Sequence, residues 1–149
     1  MDLLDEFWRW LAISPEEYIQ IIEKCSVSNN IEEFAFPQWN ELLKQAENSI
    51  VNEHLDNSSM DNVLVVMALD NENEDILDYI VDNASHMYIN KFVRHGMRTP
   101  FSHARWQIAE ILGRRKPLGW EEHLLTLCAD KNQYVAKRAR HILHNTTNS

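Results

Sequence analysis

The sequence predicts an all-α fold, and three observations carry that expectation. The chain of 149 residues contains only three glycines and four prolines, too few to turn the many strands of a β-sandwich or barrel. Strong helix formers such as Leu, Glu, Ala, Lys and Arg fill the segments between them. Apolar residues recur at intervals of three and four, the period of one helix face. With 44% apolar content, a single domain over 1–149 is the expectation at this length.

Leu3, Leu4, Phe7, Trp8, Trp10 and Leu11 predict a helix over 2–12. Ser14-Pro15-Glu16-Glu17 is a capping box, with the serine oxygen set to accept the Glu17 amide and the Glu17 carboxylate set to reach back. Proline suits the first helical position, where its missing N–H has no intrahelical partner to lose. Ile13 and Tyr18 form a hydrophobic staple around this start, and Ile19, Ile21, Ile22 and Cys25 extend the apolar face. The polar stretch 26–30 breaks the pattern. Trp39, Leu42, Leu43, Ala46 and Ile50 then mark a third helix from near Pro37 to about Leu55, and 56–59 reads as a loop with a cap.

Beyond this point the chain falls into helical pairs: 60–69 with 75–84, 86–94 with 101–114, and 120–129 with 133–144. Residues 1–56 are thus an N-terminal group of helices, and 57–149 a succession of about three hairpins. Two segments align at an offset of 31 residues, Ala104-Arg105-x-x-Ile108-Ala109-x-x-Leu112 and Val135-Ala136-x-x-Ala139-Arg140-x-x-Leu143. Each places a small or β-branched residue first and leucine last on one stripe, as a helix packed between neighbours needs. Leu124, Leu125 and Leu127 precede the second segment and lead to Asp130.

These residues resemble the HEAT-like repeat, in the shorter form of proteins related to phycobilin lyases. Arg105, Ala109, Leu112 and Gly113 carry the match, while the last repeat departs from the pattern with Ala136 and Arg140. Ile76, Ile80 and Val81 suggest an earlier, degraded copy. The resemblance implies antiparallel helical hairpins stacked as a short α-solenoid, with the N-terminal helices as a cap. It also implies that Arg105 and Asp130 form a structural ladder between repeats rather than a catalytic pair.

Charge is unevenly spread. The net charge is −9, yet residues 1–85 hold 3 basic and 19 acidic side chains and residues 86–149 hold 11 and 4, so the halves carry −16 and +7. Such asymmetry bears on partners and long-range fields. Glu72, Glu74, Asp75, Asp78 and Asp82 cluster on and before one helix, with Glu32, Glu33, Glu41, Glu47 and Glu53 on earlier elements. Converging, they would steer a basic protein partner, and a merely solvated face is the alternative. Lys91, Arg94, Arg98, Arg105, Arg114, Arg115 and Lys116 crowd the stretch 88–116, which also holds Tyr88, Phe92, Phe101 and Trp106. That mixture suits phosphates and stacked bases if the aromatics are exposed, and a core rimmed by cations if they are not.

Catalytic and metal signatures have no support. His141 and His144 lack a third ligand at fixed spacing. Asp70-Asn71-Glu72-Asn73-Glu74-Asp75 lacks the glycine and closing glutamate of a calcium loop. No phosphate loop, zinc-peptidase helix or nucleophile elbow occurs, so no metal or cofactor is expected. Cys25 and Cys128 read as buried free thiols, the acidic start does not read as a signal peptide, and the longest apolar run, 63–69, is far short of the roughly 20 residues of a membrane span. A cytoplasmic location follows as the expectation, and the glycosylation triplets at Asn57 and Asn145 read as chance matches. The leading expectation is a non-catalytic protein-binding scaffold, similar to bacterial immunity proteins that occlude the active surface of a cognate toxin. A nucleic-acid-binding module on the basic half and a small lyase-like enzyme are the alternatives.

Overall fold

The computed structural model describes residues 2–24 and 31–147. Cys25 and the stretch 26–30 lie outside the described residues. Those described form nine α-helices, one 3-10 turn and no strand: α1 (Leu3–Leu11), α2 (Pro15–Lys24), the 3-10 turn (Glu33–Ala35), α3 (Trp39–Val51), α4 (Asn57–Leu69), α5 (Asp75–Asn83), α6 (His86–Gly96), α7 (Ser102–Arg115), α8 (Trp120–Cys128) and α9 (Gln133–Thr147).

Local chemistry sets the helix starts. The Asp2 carboxylate accepts from the Asp5 amide at 2.9 Å, capping α1. Both bonds of the capping box form, Glu17 N to Ser14 Oγ at 3.1 Å and Ser14 N to Glu17 Oε1 at 3.3 Å. Asp56 caps α4 by accepting from the Ser59 amide and hydroxyl, so Asn57, Ser58 and Ser59 belong to the helix and not to the expected loop. The third helix stops at Val51 rather than near Leu55, because Glu53 turns into the left-handed region at φ +54°. The 3-10 turn before α3 carries no apolar period, and the sequence reading missed it.

Two helices organise the core. In α4 every residue from Val63 to Leu69 but Val65 is buried, and α4 contacts α3, α5, α6 and α7. In α7 burial runs nearly all round, with contacts to α4, α5, α6, α8 and α9. A helix apolar on every side belongs inside, and each fully buried Leu or Ile contributes about 1.5–3 kcal/mol. Helices α3, α5, α7 and α9 neighbour one another in that order, while α4 and α6 touch each other and α4, α6 and α8 all contact α7. Gly113 lets α9 approach α7, since a Cβ there would collide with Ile142 Cγ2. The N-terminal helices join through aromatic contacts: Phe7 meets Phe36 edge-on at 5.4 Å, Trp8 meets Tyr18 edge-on at 5.6 Å, and Tyr18 meets Phe101 at a tilt at 6.4 Å.

Candidate functional site

Helix α5 buries Ile76, Leu77 and Ile80, which turns Asp75, Asp78 and Asp82 to the opposite, exposed side. Glu72 is also exposed and Glu74 half-buried in the turn before the helix. All five predicted acidic residues therefore share one short segment of surface, next to α3 with its exposed Glu41 and half-buried Glu47. Glu33 is a correction to that acidic set. It is buried, and Tyr18 donates its hydroxyl to the Glu33 carboxylate at 2.6 Å. Burial raises the Glu33 pKa against the opposing effect of the Tyr18 bond, and burial raises that of Tyr18 as well.

From α5 an ionic chain of alternating sign crosses to α9. Asp78 pairs with Arg114 at 3.4 Å, Arg114 with Glu110 at 3.7 Å, and Glu110 with Arg138 at 2.8 Å. Glu110 and Arg114 are one turn apart on α7, the spacing that brings side chains together. Arg138 also donates to the Tyr134 hydroxyl at 2.6 Å, and its guanidinium stacks 4.6 Å from the Trp106 ring centre. Such a stack favours arginine over lysine, because only the planar guanidinium lies flat on a ring while bonding in its plane. Glu110 and Arg138 were not singled out from the sequence. The i, i+4 spacing of Glu110 and Arg114 is a signal that could have found one half of the chain, but nothing in spacing joins α7 to α9.

The predicted basic set does not form one patch. Arg115 is a correction: its guanidinium donates to the carbonyls of Ile80, Val81 and Ala84, closing the end of α5. Arg94 bonds back to the Asn90 carbonyl, and Lys116 sits over the Trp120 ring. Lys91 and Arg98 are exposed. Arg98 lies in the turn between α6 and α7, whereas Arg114 and Lys116 lie at the other end of α7, roughly 20 Å away along its axis. The aromatics that would stack bases are in the core, with Tyr88 and Phe92 0% exposed, Trp106 5% and Phe101 8%.

Arg105 meets Asp130 through two bonds, Nε to Oδ2 at 2.9 Å and Nη2 to Oδ1 at 3.1 Å, and donates a third to the Thr99 carbonyl at 2.8 Å. Asp130 also accepts from the Asn132 amide at 2.9 Å, so one carboxylate ties α7 to the turn before α9. Cys128 is half-buried rather than buried, and partial burial raises its pKa. His141 bonds to Asn145, and among the described residues no group of three His, Cys, Asp or Glu side chains is placed to hold a metal ion. No helix among them is long and apolar enough to cross a membrane.

No family model matches the chain, and no curated protein or solved structure matches it either.

Proposed function

We infer that the chain is a protein-binding scaffold built as a short stack of HEAT-like hairpins, and that it works as an immunity protein does, by covering the active surface of a basic toxin. The observation that carries this reading is the exposed row Asp75, Asp78 and Asp82 with Glu72 beside it, a dense negative surface on a helix held rigid by its buried face. A fixed array of charges steers an oppositely charged protein into register and raises the rate of encounter. The ladder residues support the same reading, since the bonds of Arg105 and Asp130 are spent on joining helices. The buried aromatics count against the nucleic-acid alternative.

The test is co-purification of the chain with the product of the neighbouring gene from its native host, repeated with D75K/D82K. Stoichiometric recovery that the double charge reversal abolishes is the expected result. Recovery of nothing but chaperones at low salt, or equal recovery by the variant, would remove the proposal.

A further inference from the structure

Between α7 and α9 runs a groove of about 600 Å3 that the acidic row does not explain. Its floor is apolar, made by Gly113 and Ile142, and its walls carry Arg114, Lys137, Arg138 and His141 against the single carboxylate of Glu110. Glu110 is already held by Arg138 and Arg114. Lys137 and His141 are exposed one turn apart on α9, and no ion pair engages either of them among the described residues. The groove follows α9 from Tyr134 to Thr146, roughly 18 Å at the rise of an α-helix. An extended peptide of about five residues has that length.

We propose that this groove binds an extended acidic segment of a polypeptide, with carboxylates on Lys137, His141 and Arg114 and a small apolar side chain over Gly113 and Ile142. Carboxylate is the anion the walls already accommodate, since Arg114 holds both Asp78 and Glu110. A nucleic acid fits less well. Among the described residues of the lining, Tyr134 is the only exposed Phe, Tyr or Trp ring on which a base could stack, and its hydroxyl is already taken by Arg138. The inference rests on the reading of the chain as a polypeptide-binding scaffold and adds a second contact of opposite sign to the acidic row.

Fluorescence anisotropy tests it, with the full chain titrated onto a labelled peptide alternating glutamate and alanine, and with a single-stranded oligonucleotide and inorganic pyrophosphate as the other probes. Saturable binding of the peptide at low ionic strength is expected. K137E/H141E should weaken it about tenfold at unchanged helical content, through loss of the exposed Lys137 ion pair and the His141 hydrogen bond and the like-charge repulsion put in their place. K137Q/H141Q removes the charge without reversing it and should show a smaller loss of the same sign. D75K/D82K should bind the peptide at least as well as the parent, so failure of the acidic row leaves the groove measurement intact. Absent saturation, equal binding by both groove variants, or tighter binding of the oligonucleotide or pyrophosphate would overturn the proposal, the last by assigning the groove to phosphate.

Discussion

Asp70 is 2% exposed at the end of α4, where Oδ2 accepts from the Ile76 amide at 3.0 Å and Oδ1 has no hydrogen-bond partner among the described residues. Burial pushes its carboxyl up to about 6, with Asp75 and Glu74 adding to the effect and the Ile76 bond opposing it. A pKa raised on folding means that the folded state favours the protonated form. The associated stability is present in full below the unfolded value of 3.8 and is lost as pH rises through about 6. The melting temperature should therefore fall as pH rises from about 4 to about 6, between those two values, and D70N should flatten the fall. E33Q should flatten it further, because the Glu33 pKa moves the same way. Identical pH profiles for D70N and the parent in calorimetry would refute the assignment. Tyr88 offers a second residue-scale test. Its hydroxyl is buried without a partner among the described residues, and a desolvated, unbonded hydroxyl gains nothing over a hydrogen. Y88F should be neutral or more stable by up to about 1 kcal/mol in urea denaturation. A clear loss would mean that the hydroxyl has a partner.

Packing between elements concentrates on α7. Replacing Arg105 by methionine leaves the half-buried Asp130 without its cation, and breaking a pair whose arginine is buried by removing one partner costs up to about 3–5 kcal/mol. Denaturant midpoints should show that loss, and a loss near zero would mean that solvent reaches the pair. The α7–α9 contact makes a different demand. G113A should cost about 1–3 kcal/mol through collision with Ile142, and I142A in the same chain should cost less than its own single effect. Strict additivity in that double-mutant cycle would show that α9 does not rest on Gly113. Elements of this kind were partly legible. The capping box and the 31-residue offset point to helices that form, because caps and periodicity are local, whereas 56–59, which reads as a loop with a cap, is helical from Asn57 onward. The 3-10 turn had no such signal, and the early stop of α3 depends on one left-handed residue, Glu53, that is not glycine.

Across the whole molecule, charge is sorted along the row α5, α7, α9. Negative side chains lie at one end, Arg138 and Lys137 at the other, and the chain of pairs from Asp78 to Arg138 lies between them. Association with a basic partner should slow as salt is added, since exposed charges beyond about 10 Å are screened at 0.1 M. D75K/D82K should lower the association rate more than it raises the dissociation rate, as stopped-flow measurement would show. A rate indifferent to salt would leave the acidic row without a role in encounter. Periodicity, caps and composition were enough for the all-helical character and the approximate helix limits, because those depend on residues within a turn or two of each other. The fate of individual charges was not legible in that way. Arg115 reads as surface and instead closes α5, Glu33 reads as acidic surface and is buried against Tyr18, and Glu110 finds Arg138 across 28 positions of sequence. Those outcomes depend on which helices lie side by side and at what rotation, and only the packing of α4 and α7 into the core decides that.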